Sequence, residues 1–242
     1  MKRRQIYGNV QLDGLYLREI PDSIKIDVCH GFYDISENRI KSLKNCPKFV
    51  KFDFLCSENY LTSLEYGPEE VQGHYVCSNN KLTSLDGIAR IVGGNIVFPN
   101  NNISSLRGLP QITSGAVLSF IDNSITSLDG TNLTSKTLSS FLIAGNKITS
   151  LIGSPPQVLF DYDCSDNPIE SLVGCSSVIG RNFYMLNLRN LKSLDGFPKM
   201  IGANLYIGND DVNRIFGRKM TKTDLHKEIA RICELKGRIS LF

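Results

Sequence analysis

The chain has no run of about eighteen apolar residues, so no stretch is long enough for a membrane-spanning helix. Its opening, Met1 to Val10, carries positive charge with no apolar stretch behind it, so it does not read as a secretory signal. Excess charge of one sign is also lacking. Lys and Arg total 27 against 24 Asp and Glu, and a net +3 over 242 residues does not announce a nucleic-acid binder. Histidine is scarce: His30, His74 and His226 are far apart, and none sits at a motif spacing from a Cys or Ser that would suggest a base and nucleophile. No P-loop and no G-x-S-x-G occurs. Seven cysteines, an odd number without a signal, fit free thiols in a reducing compartment, so the expected location is cytoplasmic. A composition of 41% apolar and 21% charged residues is that of a folded chain with a continuous core.

What the sequence does contain is one repeat, written about ten times. Tyr75-x-Cys77-x-x-Asn80-x-Leu82-x-x-Leu85 recurs with its Asn at Asn38, Asn59, Asn80, Asn101, Asn123, Asn146 and Asn167. Two further rungs keep the apolar frame with Arg189 and Asp210 in that slot, and an atypical first rung has Leu15 there. The steps from Leu15 to Asp210 are 23, 21, 21, 21, 22, 23, 21, 22 and 21 residues. Apolar residues fill the positions five and three before the slot and two and five after it. Positions two apart share a face of a strand, so the first two columns point to the core.

These residues resemble the leucine-rich-repeat family, whose core is L-x-L-x-x-N-x-L-x-x-L. The recurring S-L-x-G-x-P, as in Ser105-Leu106-Arg107-Gly108-Leu109-Pro110, is similar to short-repeat bacterial and bacteriophage versions. The resemblance covers roughly residues 9 to 216. It implies an α/β-type solenoid dominated by β: a right-handed superhelix with a parallel sheet on one face and short extended or 3-10 return segments. It also implies a partner-binding role, either a phage factor that docks on or inhibits a host protein in the host cytoplasm or a structural component of a viral assembly.

The expected organisation is a solenoid over 1–216 and, within the same domain, a cap over 217–242. Thr221-Lys-Thr-Asp224 matches a capping box. Leu225, Ile229, Ile232 and Leu235 or Lys236 follow at helical spacing, Gly237 ends the helix, and Arg238 to Phe242 reads as a short strand. Cys56, Cys77 and Cys164 occupy the inward column, where small buried hydrophobes explain them better than metal or redox chemistry. No catalytic residue, metal or cofactor is expected, and the chain reads as a non-enzyme.

The columns six, four, two and one before the slot point away from the core on the strand side. None of these forty positions is Lys or Arg, where chance would leave about four or five, and nine are acidic. Such a face repels a phosphate backbone. Leu55, Val76 and Val97 form an apolar strip that resumes at Val117, Ile121 and Leu142. Asp34, Glu37, Asp53, Glu58, His74, Asp161 and Asp163 surround it, and Phe32, Phe183, Met185, Leu188 and Tyr206 add outward candidates. Apolar residues also suit any sheet face, but an apolar centre with a charged rim is the pattern of a protein-binding surface. The expected partner is a protein with a basic, partly apolar patch. Asp161-x-Asp163-x-x-Asp166 lacks the central Gly and distal Glu of a calcium loop, so it reads as a solvated acidic patch. The alternative is nucleic-acid binding through basic side chains off this face: Lys2, Arg3, Arg4, Arg39, Lys81, Lys147, Arg214, Arg218, Lys219 and Lys222. No membrane partner is expected, and the oligomeric state is left open.

Overall fold

The computed structural model describes residues 4–242, so Lys2 and Arg3 of the basic set lie outside the described residues. The chain divides into two compact units, Met1–Asn123 and Ser124–Phe242. Each is a β-dominated parallel solenoid.

In the first unit, Val10–Gln11, Tyr33–Asp34, Phe54–Leu55, Tyr75–Val76, Ile96–Val97 and Val117–Ser119 pair in that order as one parallel ladder, the strand face. A second parallel ladder runs through Gln5–Ile6, Val28–Cys29, Phe49–Val50, Glu70–Val71, Ile91–Val92 and Gln111–Ile112. The return path therefore pairs regularly as strands, beyond the extended or 3-10 segments expected. The only 3-10 segments among the described residues are Asp22–Ile24 and Leu133–Ser135. Between the ladders runs a column of buried rings, Tyr33, Phe54, Tyr75, Phe98 and Phe120, with successive centroids 5.9, 5.0, 5.1 and 6.0 Å apart.

The Asn column joins each rung to the one before. Asn101 Oδ1 accepts the Leu82 N–H at 3.0 Å, while its Nδ2 donates to the Cys77 carbonyl at 2.9 Å. Asn59, Asn80, Asn123 and, in the second unit, Asn167 repeat both bonds. These side chains are buried, and each satisfies two backbone groups at a corner that no strand partner reaches. The residue just before the slot is left-handed, with φ of 53° to 56° at Glu37, Glu58, Asn79, Asn100, Asp122 and Asp166.

In the second unit the strand face comprises Ser140–Leu142, Tyr162–Asp163, Phe183–Met185, Leu205–Ile207 and Ile239–Leu241. The return ladder comprises Thr137–Leu138, Gln157–Val158, Val178–Ile179, Met200–Ile201 and Glu234–Leu235. Here the repeat count misplaces one rung. Tyr162 pairs with Phe183, not Tyr184. Phe183, Met185 and Leu188, expected outside, are all fully buried. Asn187 is the left-handed residue, so Leu188 and not Arg189 holds the slot. The extra residue is absorbed just after it, where the Leu191 N–H closes a turn onto the Leu188 carbonyl at 2.9 Å. A one-residue slip exchanges the two faces of a strand, and Phe-Tyr-Met-Leu is apolar in both phases, so alternation cannot choose. The aromatic column chooses: Phe183 lies 5.6 Å from Tyr162 and 6.0 Å from Phe197.

The last rung departs further. Where the repeat was expected to run on to Phe216, helix α1 spans Asn209–Phe216, with acids in its first turn and left-handed Gly217 closing it. Exposed Asp210 does not fill the slot; Asp211, 3% exposed, takes over with Arg214. Asp211 Oδ2 accepts the Leu188 N–H at 3.1 Å, and Arg214 donates to the Leu188 carbonyl at 2.6 Å while pairing with Asp211 at 2.7 Å. An ion pair one helical turn apart thus does what a single amide does elsewhere. Helix α2 spans Lys222–Ile229, opened by Thr221 accepting the Asp224 N–H as the capping box requires. It stops eight residues before Gly237, because Glu234–Leu235 is taken up by the return ladder, and Ile232 is left exposed. Among the described residues no helix is long and apolar enough to cross a membrane.

Candidate functional site

On the first unit the outward residue of each strand is the fourth before the slot. Asp34, Leu55, Val76 and Val97 are in register on adjacent strands and partly exposed. They form one row at roughly 4.8 Å per step. Ser119 continues the row as a buried residue between partly exposed Val117 and Ile121. Glu37 and Glu58 stand exposed beside Asp34 and Leu55. Their column is left-handed, which by itself explains Asn79, Asn100 and Asp122, since Asn and Asp tolerate that conformation. It does not explain Glu, so the backbone accounts for part of the acidity of this column but not for Glu37 or Glu58.

Asp53 and His74 have another employment. They stand six before the slot, in a ladder where each side chain receives the backbone of the next rung. Asp53 Oδ1 accepts the His74 N–H at 2.7 Å, His74 Nδ1 accepts the Asn95 N–H at 2.9 Å, and Asn95 Oδ1 accepts the Val117 N–H at 2.8 Å. His74 in its neutral form therefore carries its proton on Nε2. A Cβ on Gly73 would collide with the Asp53 carboxylate, and one on Gly94 with His74 Nδ1, so glycine keeps the ladder open. The sequence signal for it, a polar residue in one column after a glycine in the column before, is visible in Gly73-His74 and Gly94-Asn95. In the second unit Asp161 heads a ladder that runs from side chain to side chain instead: Asn182 Nδ2 donates to its Oδ1 at 2.8 Å, and Asn204 Nδ2 donates to Asn182 Oδ1 at 3.1 Å.

The outward row of the second unit is Leu142, Asp163, Tyr184 and Tyr206, all partly exposed. Tyr184 takes the place expected for Met185. Its ring stacks on Tyr206 at 4.4 Å with 9° between planes, and Tyr206 lies 6.0 Å from Phe242. Burial pushes the Asp163 carboxyl above the ordinary carboxylate range; bonds to Ser165 oppose this, and the charges of Asp166 and Asp161 add to it. Burial also raises the Tyr184 hydroxyl, and the charges of Asp161 and Asp163 and the neighbouring Tyr206 add to it. With the ninth rung in its true phase, the four outward columns still contain no Lys or Arg.

Burial holds the thiols of Cys56, Cys164 and Cys233 in their protonated form. Burial raises Cys56 and Cys164 well above the usual value and carries Cys233 up to about 11. Among the described residues no group of three or more His, Cys, Asp or Glu is placed to hold a metal ion. Of the described residues of the basic alternative, Arg4, Arg39 and Lys81 lie on the first unit and Lys147, Arg214, Arg218, Lys219 and Lys222 on the second, where Arg214 is committed to Asp211 and the Leu188 carbonyl. Comparisons with protein-family models, with curated proteins and with solved structures find no match to this chain.

Proposed function

We propose that this chain is a non-enzymatic, leucine-rich-repeat-type interaction module that binds a protein through its strand face. The partner carries a basic and partly apolar patch. The observation that carries the reading is the row Asp34, Leu55, Val76, Val97 on the first unit, with Glu37 and Glu58 alongside and all positive charge kept off the face. A partly exposed aliphatic strip with a carboxylate rim suits a partner that brings apolar contact and Lys or Arg together. The bridging Asn column supports the repeat-family reading, because it shows why an amide recurs in that slot. The Cys56 and Cys164 thiols, which burial keeps protonated, support a non-catalytic role, since the thiolate is the nucleophile.

The test compares the wild type with Leu55→Arg plus Val97→Arg in capture from lysate, followed by titration of the captured partner. Both side chains point out of the ladder, so circular dichroism and the melting curve should be retained while the partner is lost. Equal recovery of the same partner by a folded double variant rejects the site.

A further inference from the structure

The first unit has a second surface at the corner where the chain leaves the strand face. The residue after each slot emerges there: Tyr16, Arg39, Tyr60 and Lys81 on four successive rungs. Two residues further along stand Arg18, Lys41 and Thr62. Arg18, Arg39, Lys41, Tyr60, Thr62 and Lys81 line an open groove of about 660 Å³. The column is fixed by backbone. The N–H groups of Arg39, Tyr60 and Lys81 donate to the carbonyls of Leu17, Ile40 and Leu61 at 2.8, 2.9 and 2.8 Å, so the side chains step by one rung.

Ring and cation alternate along this column. The Arg39 guanidinium lies 5.5 Å from the Tyr16 ring centre and the Lys81 ammonium 5.2 Å from that of Tyr60. The rings are 74% and 44% exposed. None of Arg18, Arg39, Lys41 or Lys81 enters an ion pair among the described residues. Exposed cation–ring pairs contribute only about 0.5–1 kcal/mol each, so fold stability gives little reason to leave two tyrosines and four unpaired cations together on a corner. Rings that take unpaired bases, interleaved with cations that take phosphates, are what a single strand of nucleic acid requires.

We propose that this column binds single-stranded nucleic acid. Charge complementarity selects a polyanion. The exposed rings select one with flat faces over an acidic peptide, and a duplex hides those faces in its own stack. Glu37 and Glu58 border the column on its strand side, which directs the phosphates along the corner and away from the acidic face. The site is separate from the proposed protein-binding row, and either can fail alone.

The experiment is fluorescence anisotropy of a labelled oligouridine of about ten nucleotides against the full chain, titrated across salt from about 50 mM upward. If four cations each meet one phosphate, log affinity should fall against log salt with a slope of about −2.8. Arg39→Ala plus Lys81→Ala should bring the slope to about −1.4. Tyr16→Ala plus Tyr60→Ala should weaken binding at every salt and leave the slope alone, and melting curves confirm that each variant is folded. Absence of binding at the lowest salt overturns the proposal. So does a slope unchanged by removing both cations, a blunt duplex of equal length binding as tightly, or poly-L-glutamate displacing the strand at equal charge.

Discussion

The two units solve the same stacking problem with different regularity. In the first, an amide fills the slot on every rung from Asn38 to Asn123, and the outward row is aliphatic over Leu55, Val76 and Val97. In the second, the amide gives way to Leu188 and then to the Asp211–Arg214 pair, and the outward row turns acidic and aromatic at Asp163, Tyr184 and Tyr206. On the rungs with a polar slot residue, what persists is a side chain that satisfies backbone groups of the rung before, a bond that Leu188 cannot make. What varies is the means: one amide in most rungs, a carboxylate and a guanidinium together in the last.

Removing the slot residue should have the largest effect and should separate the two means. Asn101→Ala strands the Leu82 N–H and Cys77 carbonyl in the core, at a cost of about 3 kcal/mol or more for two orphaned groups. Asp211→Ala should cost less, about 2 kcal/mol, because Arg214 is partly exposed and can turn to water. Urea unfolding with hydrogen exchange should find the first loss larger. Equal losses would mean that the ion pair is as rigid as the amide.

A smaller effect tests the ring columns. Tyr162 bonds Ser154 at 2.9 Å, whereas the buried hydroxyls of Tyr33 and Tyr75 find no protein partner. The position matching Ser154 one turn before Tyr75 is Gly67, which has no side chain to offer. Tyr162→Phe should therefore destabilise by about 1 kcal/mol, while Tyr75→Phe should be neutral or stabilising. Matching losses at both sites would show that the Tyr75 hydroxyl is satisfied in solution.

The smallest effect concerns pH. A carboxyl whose folded pKa is raised favours folding when protonated, so the contribution of Asp163 is present at low pH and is lost as pH rises through its folded pKa. Asp163→Asn keeps an acceptor for the Ser165 N–H and removes the charge. It should raise stability near neutrality by less than about 1 kcal/mol, with the gain vanishing in acid. A loss at neutral pH would show that its hydrogen bond outweighs its desolvation.

Much of this was legible in the residues. Spacing alone placed the strand face, the core columns and the α2 cap, because four apolar positions recur in phase with one Asn. The ninth rung was not legible, since Phe183 to Leu186 is apolar in either phase and only the neighbouring ring column decides. Nor was α1 legible, as Val212 and Ile215 satisfy a rung frame as well as a helix. On the candidate site, the row through Leu55, Val76 and Val97 came directly from the repeat. The duty of Asp53 and His74 as receivers of backbone N–H groups, and of Asp161 as receiver of the Asn182 side-chain amide, did not, because a polar residue on a strand looks the same in sequence whether it meets solvent or a neighbouring amide.

The Asn bridges carry one further consequence. Each Asn-bearing rung is hydrogen-bonded to its predecessor through groups 19 to 26 residues apart, so the chain can be lengthened or shortened there only in whole repeats without orphaning an amide. A duplication of about 21 residues would add one step to the wall and leave every other column in phase. The extent of such a wall is set by counting units, so it grows in steps of one rung by copying what is already there.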